Sequence, residues 1–349
     1  MSAVFSDCSS NGRTKLHIVE LKMKTSTGWT RRTVLTCGAR LIGTTAASSS
    51  MARAVSFPSS SYSSSGYAEV PGGKVYWRRF GAGDKTPLLM LHGGPGAAHN
   101  YLLSMTALAD ERPVIFYDQL GCGNADSPDD ESIYSIQRSI DEVDAVRQAL
   151  NLDRVVLYGH SWGTLLAIEY LCQARGAGVE KLILAGALAS VPQVVGGLQR
   201  LIAAMPDGFA AKLRALELAG KTGTPEYAGL TQIFYDNFVL RTKPSADALV
   251  SFEAISRSIA YRVLNGPNEF TIVGKIKDWD RRKDLKAITQ KTLITTGQFD
   301  EITIDCHETI RDGIAGDASL AVMAGCSHMT MVEQPERYNA LIRRFLNET

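Results

Sequence analysis

From residue 67 onward, short apolar segments of strand length recur along the chain. Residues 74–80 alternate between polar and apolar positions, as a half-buried strand does. Residues 139–150 repeat with the period of a helix. Six further segments are largely apolar, as strands buried on both faces are; they lie at residues 86–91, 112–117, 155–158, 181–184, 291–295 and 319–323. The pattern predicts an α/β domain with a mostly parallel central sheet covered by helices.

This alternation of strands and helices stops between residues 191 and 286. The segment has a helical pattern, is richer in polar residues and is punctuated by prolines. Strand character then returns, so the segment interrupts one α/β domain. We predict a leader and Ser-rich linker at 1–66, a first part of the core at 67–190, an inserted helical cap at 191–286 and a second part of the core at 287–349. The cap would lie over the carboxyl ends of the strands, where open α/β sheets bind ligands.

The first 54 residues have the composition of a targeting segment, with eight Lys or Arg against two Asp or Glu. Arg31 and Arg32 precede a modestly apolar stretch, and residues 52–54 have the small-x-small pattern of a cleavage site. These features predict a twin-arginine signal cleaved near Ala54, and a periplasmic or secreted protein. The alternatives are a disordered tail on a cytoplasmic protein, an organelle transit peptide, or a start at Met23.

Composition and charge exclude several classes of protein. The chain has 349 residues, of which 45% are apolar, enough for a large core. The net charge of +1 argues against nucleic acid as a partner. Beyond the leader we find no segment of about 18 apolar residues that could span a membrane. The six cysteines lack CxxC spacing, and the histidines lack the spacing of zinc ligands, so we predict neither a disulfide framework nor a metal site.

A lone serine stands between a predicted strand and a predicted helix. Residues 159–163 read Gly-His-Ser-Trp-Gly, preceded by VVLY and followed by TLLAIEY. G-x-S-x-G in this context is a nucleophile elbow, a tight turn that exposes the serine above the sheet. Glycines are needed on either side because a Cβ would clash in so tight a turn. We therefore predict that Ser161 is a nucleophile.

A serine needs a base, and the base needs an acid that orients it. In chains with this elbow the order is Ser, acid, His. His328 follows the last predicted strand and is the expected base; His307 is the alternative, otherwise a solvated helix residue. His160 is adjacent to Ser161, so we expect its side chain to point away from the site. The expected acid is Asp300, in the loop after the penultimate strand; its competitors look like surface charges and are Asp280, Asp284 and Asp305.

The oxyanion of an acyl-transfer reaction needs two hydrogen-bond donors. One is expected to be the backbone N–H of Trp162, directly after the nucleophile. The other should come from the loop after an earlier strand, which reads HGGPG at residues 92–96, and we assign it to Gly94. A phosphate cradle is the rival interpretation of a Gly-rich loop, but neither GK[ST] nor GxGxxG is present.

Six motifs, HGGPG, DQLGCG, GHSWG, GPNEF, GQFDE and GCSHM, occur in an order that resembles the prolyl aminopeptidases (proline iminopeptidases) and L-amino-acid amidases of the α/β-hydrolase superfamily. The resemblance covers about residues 67–346 and implies an α/β-hydrolase fold with a helical cap. It implies a serine hydrolase that cleaves the amide or peptide bond after an unblocked N-terminal residue. Leu120 stands where these peptidases usually have arginine, a departure toward the amidase branch that puts strict proline specificity in doubt.

The same resemblance implies how the substrate is held. In that family two glutamates bind the ammonium group of the substrate, and the matching positions here are Glu269 in GPNEF and Glu301 after Asp300. The expected partner is a small molecule or short peptide with a free N-terminus, with no cofactor and no metal. A carboxylesterase or lactonase with the same triad is the alternative, and it would need neither glutamate. The preferred residue, the length of the leaving group and the oligomeric state stay open.

Overall fold

The structure is a computed structural model that describes residues 62–348 and two short strands near the N-terminus. Those strands, β1 (Met23–Thr25) and β2 (Gly28–Thr30), pair with each other antiparallel. The predicted twin-arginine signal and its cleavage site, at residues 31–54, lie outside the described residues. Among the helices that are described, every one is too short or too polar to span a bilayer.

Residues 62–348 form a sheet of eight strands in the order β10-β9-β8-β7-β5-β6-β4-β3. The pairs from β10 to β6 are parallel, whereas β4 pairs antiparallel with both β6 and β3. The strands are β3 (Tyr62–Val70), β4 (Gly73–Phe80), β5 (Leu88–Leu91), β6 (Val114–Asp118), β7 (Val155–His160), β8 (Val179–Ala185), β9 (Lys291–Gly297) and β10 (Ala318–Met323). The predicted α/β fold with a mostly parallel sheet is confirmed.

The central strands are buried on both faces, which explains their continuous apolar runs. Every residue of β5, β6 and β7 is buried. Successive side chains of a strand point to opposite faces: Leu157 packs in one apolar cluster, and Val156 and Tyr158 pack in the other. Helices cover both faces of the sheet. A polar side chain is therefore accessible to a substrate at the carboxyl end of β7 and not along the strand.

The first strand of this sheet begins earlier than the sequence indicated. Residues 62–66 were expected to belong to a Ser-rich linker, but they pair with β4, as in the register of Gly66 with Trp77. The strand lies at the edge of the sheet and depends on backbone pairing with β4, so it needs no apolar side chains to mark it. A pattern of hydrophobic positions cannot detect such a strand.

Ten α-helices are described: α1 (Ile136–Ala149), α2 (Trp162–Cys172), α3 (Val191–Ala204), α4 (Phe209–Leu218), α5 (Pro225–Phe238), α6 (Ala246–Arg257), α7 (Ile259–Leu264), α8 (Ile304–Gly313), α9 (Thr330–Glu333) and α10 (Pro335–Asn347). Three short 3₁₀ helices, His99–Leu108, Glu131–Ile133 and Leu285–Ala287, complete the described helical elements. Cap residues are readable in the sequence. Ser190 accepts a hydrogen bond from the backbone of Gln193 at the start of α3, and Thr224 does the same at the start of α5.

The segment between β8 and β9 contains the five helices α3–α7. The hydroxyl of Ser251 on α6 donates to the carbonyl oxygen of Ala98, and that of Ser258 donates to the carbonyl oxygen of Gly121. These bonds attach the helices to the loops that follow β5 and β6. The bounds of the cap at 191–286 stay a prediction, but its α-helical part is shorter than the pattern indicated, because α7 ends at Leu264. Gly266 and Pro267 follow at once, and both residue types stop helices.

Candidate active site

Ser161 occupies the strained turn that the sequence predicts between β7 and α2. Its φ and ψ are 53° and −120°, a backbone conformation that residues other than glycine rarely adopt. The turn is tight enough to require both flanking glycines. A Cβ on Gly159 would lie 2.4 Å from the carbonyl oxygen of Gly163, and one on Gly163 would lie 2.1 Å from that of Leu91. Ser161 is thus held at the N-terminus of α2, facing the segment that contains α3–α7.

Asp300 and His328 come together at the carboxyl ends of β9 and β10. His328 Nδ1 lies 2.8 Å from Asp300 Oδ1, and both side chains are buried. Asp300 also accepts hydrogen bonds from the hydroxyl of Thr296 and the backbone N–H of Ile302. Burial opposes ionisation of Asp300, but His328, His307 and the N–H of Ile302 together outweigh it and lower the pKa of the carboxyl group. Asp300 therefore stays ionised and fixes the orientation of the imidazole.

Close packing against the turn after β8 also fixes the position of the His328 ring. Gly186, which follows β8, has φ +54°, and a Cβ on it would lie 2.6 Å from Cε1 of His328. Ser161 and His328 line one cavity with a volume of about 1010 Å³, together with Gly94, Glu269 and Glu301. The structure thus brings together the predicted nucleophile, base, second oxyanion donor and both glutamates.

His160 was expected to point away from the site, and that expectation is wrong. Its ring lines the cavity, 4.6 Å from the ring of His328 between centroids. His160 Nε2 donates to the carbonyl oxygen of His328 at 3.2 Å, so Nδ1 accepts from the hydroxyl of Tyr101, which in turn accepts from the N–H of Gly93. Burial lowers the pKa of His160 to about 3, so the ring is neutral. His160 connects the glycine loop after β5 to the backbone of His328.

His307 was considered as the alternative base or as a solvated residue, and it is buried on α8. Its Nε2 accepts a hydrogen bond from the backbone N–H of Ala187 at 2.8 Å, and Nδ1 donates to the carbonyl oxygen of Thr303. Both ring nitrogens are thus occupied by the backbone. The side chain supports the turn after β8, next to the glycine that packs on His328.

The two loops that would donate to an oxyanion are joined by a side chain that the sequence did not single out. Trp162 is the first residue of α2, and its indole Nε1 donates to Gln119 Oε1 at 2.8 Å. The amide Nε2 of Gln119 donates to the carbonyl oxygen of His92, at the start of the glycine loop. Gly94 in this loop has φ +115°, which favours glycine. The motif DQLGCG contained Gln119, but only the folded loop gives it a partner.

Glu269 and Glu301 lie at the same cavity as the nucleophile although 32 residues of sequence separate them. Glu269 Oε1 accepts a hydrogen bond from the hydroxyl of Tyr261 at 2.9 Å. Glu301 is buried, its Oε1 lies 3.9 Å from Nε2 of His328, and its Oε2 has no hydrogen-bond partner. Burial raises the pKa of both carboxyl groups, and their mutual repulsion raises that of Glu301 further. The pair forms an acidic cluster, and a bound cation would stabilise the ionised form of both carboxyl groups.

The imidazole of His328 responds to the same cluster. Burial alone would lower its pKa, but Asp300, Glu301 and Glu269 outweigh burial and raise the pKa of His328 to about 9.

Within the described residues, no group of His, Cys, Asp and Glu side chains is arranged to hold a metal ion. The chemistry that this arrangement supports is nucleophilic attack by a serine on an acyl group.

The fold and this geometry define the class of serine hydrolases built on an α/β sheet. The model of the alpha/beta hydrolase family matches residues 88–341, and the chain belongs to that family.

Within the family, curated relatives that the chain matches include proline iminopeptidases. It is 37% identical to the proline iminopeptidase of Saccharolobus solfataricus, over 81% of this chain and 92% of the relative. It is 38% identical to that of Thermoplasma volcanium, over 81% and 96%. Among solved structures, the proline iminopeptidase of Mycobacterium smegmatis is 32% identical, with a TM-score of 0.76 over 81% of this chain and 97% of that one. VinJ is also 32% identical, with a TM-score of 0.78 over 82% and 98%. The resemblance read from the six motifs is confirmed.

Proposed function

We propose that this enzyme releases an N-terminal amino acid with a free amine from an amide, through an acyl-enzyme. The observation that carries the proposal is the pair Glu269 and Glu301 at the cavity of Ser161, where Glu301 Oε2 is buried without a partner. An ammonium group placed between them would satisfy that atom and neutralise part of the cluster. Hydrolysis of prolinamide compared with N-acetylprolinamide tests the proposal directly. Proline is the first residue to test because the relatives are proline iminopeptidases.

The proposed reaction uses Ser161, His328 and Asp300 as a triad. Ser161 Oγ attacks the carbonyl carbon while His328 accepts its proton at Nε2, since Nδ1 is bound to Asp300. The N–H groups of Trp162 and Gly94 stabilise the oxyanion. The C–N bond then breaks, and His328 returns the proton to the leaving nitrogen. Water, deprotonated by His328, attacks the acyl-enzyme and releases the amino acid and Ser161.

The acidic cluster predicts an unusual pH profile for a neutral substrate. The base must be unprotonated, and the pKa of His328 is about 9 in the free enzyme. For a neutral p-nitrophenyl ester, kcat/KM should therefore rise with pH up to about 9, after subtraction of the uncatalysed rate. Glu301→Gln removes a negative charge that stabilises the imidazolium, so the rising limb should move to lower pH.

An exposed acid in the same α/β domain provides the control for that shift. Glu336→Gln on α10 changes the same charge on an exposed side chain that borders neither the cavity nor the cluster, and it should leave the profile unchanged. A Glu301→Gln profile that coincides with the wild type would show that Glu301 does not act on His328. The pH profile separates this electrostatic effect from a general loss of activity, because a loss of folded enzyme lowers the rate at every pH.

We also propose that residues 31–54 direct export, from Arg31-Arg32 and the small-x-small pattern before Val55. Changing both arginines to lysine should leave full-length protein in the cytoplasm, since the pair is read as a signal rather than as charge. Fractionation followed by N-terminal sequencing provides the measurement. Exported protein with an intact N-terminal segment, or unchanged export of the lysine variant, would contradict the proposal.

A further inference from the structure

Ser161 lies between two cavities of very different size. The large cavity of about 1010 Å³ contains His328, Tyr101 and residues from α5, α6 and α7 in its wall. A second cavity of about 40 Å³ also borders Ser161, and its wall contains Trp162, Leu165 and Leu188. Ser161, Gly94, Glu269 and Glu301 border both. An acyl group bound to Ser161 with its ammonium at the glutamates therefore has one small and one large space beside it.

The chemistry assigns one product to each space. The base must deliver a proton to the leaving nitrogen, and His328 borders only the large cavity. The leaving group therefore departs into the large cavity. The small cavity is left for the side chain of the N-terminal residue. Apart from Ser161, Asn265 and the two glutamates its wall is apolar, with Val194, Leu198 and Ile276, and it suits a compact side chain such as that of proline or alanine.

The large cavity is far bigger than ammonia or one amino acid requires. Its volume is at the upper end of the range of sites that enclose a drug-sized ligand. Apolar side chains from the helical segment line it, among them Val239, Leu240, Phe252 and Ile255. Leu249 and Val273 line it as well and are 55% and 63% exposed, so the apolar surface continues to the rim. An exposed apolar surface that is continuous with a catalytic site indicates that an apolar part of the ligand binds there.

The charged groups of the wall do not favour a free peptide as the leaving group. Arg257 and Arg262 border the cavity, but each forms an ion pair, with Glu253 and Glu131 respectively. Along the apolar part of the wall, a peptide would have to place its polar backbone and terminal carboxylate among aliphatic and aromatic side chains, at a cost for every unpaired polar group. An uncharged, extended apolar amine has no such cost.

We propose that the leaving group of the substrate is a bulky apolar amine, so that the enzyme removes a small N-terminal amino acid from an extended, uncharged hydrophobic amide. The inference rests on the proposed function and names its substrate class. Selectivity then has two parts. The glutamates and the small cavity select the amino acid, and the large cavity selects the amine.

A series of prolyl n-alkylamides from methyl to octyl tests the proposal, because these amines differ in length and hardly in basicity. Each buried CH₂ is worth about fourfold in binding. With only part of the chain covered, kcat/KM for the hexylamide should exceed that for the methylamide by roughly 30-fold or more. Pro-Gly-Gly, which is extended but polar, should resemble the methylamide.

Variants at the rim of the large cavity test whether its apolar surface causes the preference for long alkylamides. Leu249→Ser and Val273→Ser should lower kcat/KM for the hexylamide several-fold, and by a larger factor than they lower kcat/KM for the methylamide. Leu218→Ser on α4 is the matched control, since Leu218 is 80% exposed and borders neither cavity; it should change neither substrate.

The outcomes separate the two proposals. Hydrolysis of the methylamide with a flat profile along the series, or a preference for Pro-Gly-Gly, would overturn the apolar leaving group and leave the proposed function intact. Failure to hydrolyse any free-amine amide while esters are cleaved would overturn the proposed function, and the substrate class with it.

Discussion

Ser161→Ala is expected to lower kcat/KM for prolinamide by about 10⁴-fold or more, and His328→Ala by a similar factor. In the proposed reaction Ser161 supplies the oxygen that forms the acyl-enzyme, and without the base its hydroxyl would be a poor nucleophile. The strained backbone at Ser161 and the 2.8 Å contact of His328 with Asp300 are the geometric reasons for these assignments. Steady-state kinetics on prolinamide measure the loss, and circular dichroism shows that each variant is folded.

The double variant distinguishes a triad from two independent contributions. Residues of a triad act as a unit, so Ser161→Ala with His328→Ala should be scarcely slower than either single variant. Independent effects would multiply instead. Phenylmethylsulfonyl fluoride, which labels activated serines, should inactivate the wild type with one adduct, located by mass spectrometry at Ser161.

His307 provides the control for the identity of the base. The ring accepts a hydrogen bond from Ala187, so His307→Ala leaves a buried N–H without a partner and should lower the melting temperature. Below that temperature, the remaining activity should exceed that of His328→Ala by orders of magnitude. Active His328→Ala together with folded but inactive His307→Ala would mean that the base is misassigned.

Much of this site can be predicted because its chemistry demands local features of sequence. The elbow at Ser161 requires glycines on both sides, and the glycine loop after β5 requires a close approach of the backbone. The order of serine, acid and histidine follows from the order of strands in the sheet. Motifs of this kind are short, contiguous and sterically constrained, so they can be found without the fold.

What could not be predicted depends on contacts between distant segments. His160 forms its hydrogen bonds with Tyr101 and with the backbone of His328, 168 residues later, so adjacency to Ser161 alone misplaced it. The partner of His307 is the backbone N–H of Ala187, which no pattern on a helix can indicate. The role of Gln119 likewise depends on the loop that brings it to Trp162. In each case the deciding partner is a backbone group or a side chain on a distant segment of the chain.

Acetylation of the substrate amine is the second large effect that we expect. N-acetylprolinamide should be hydrolysed at least about 10²-fold less efficiently than prolinamide, measured as kcat/KM on the wild-type enzyme. Acetylation removes the positive charge and buries two carboxylates against a neutral group. The cost of leaving a buried charge without its partner is typically a few kcal/mol, which corresponds to this factor. The activity on prolinamide should also decline above the pKa of the substrate amine, because the ammonium then loses its proton.

Glu269→Gln removes one carboxylate and keeps the shape of the side chain. The amide can still accept a hydrogen bond from Tyr261, so the local fold should persist. For prolinamide or alaninamide, kcat/KM should fall by roughly 10²-fold or more. Turnover of a neutral p-nitrophenyl ester should change little when it is compared above pH 9, where His328 is unprotonated in both enzymes, because Ser161 and the oxyanion donors are untouched. Glu226→Gln, on the exposed face of α5 in the same helical segment, is the matched control and should behave as the wild type.

The comparison of free and acetylated substrate decides between the two classes of hydrolase that share this triad. Under the proposed function the enzyme needs the ammonium, because Glu301 is buried with one oxygen unpartnered and would gain a partner when the substrate binds. An esterase or lactonase gains nothing from a free amine. Equal kcat/KM for prolinamide and its acetylated form, together with an unaffected Glu269→Gln variant, would make Glu269 and Glu301 structural acids. A large ratio that collapses in Glu269→Gln, but not in Glu226→Gln, would assign the recognition of the amine to this cluster.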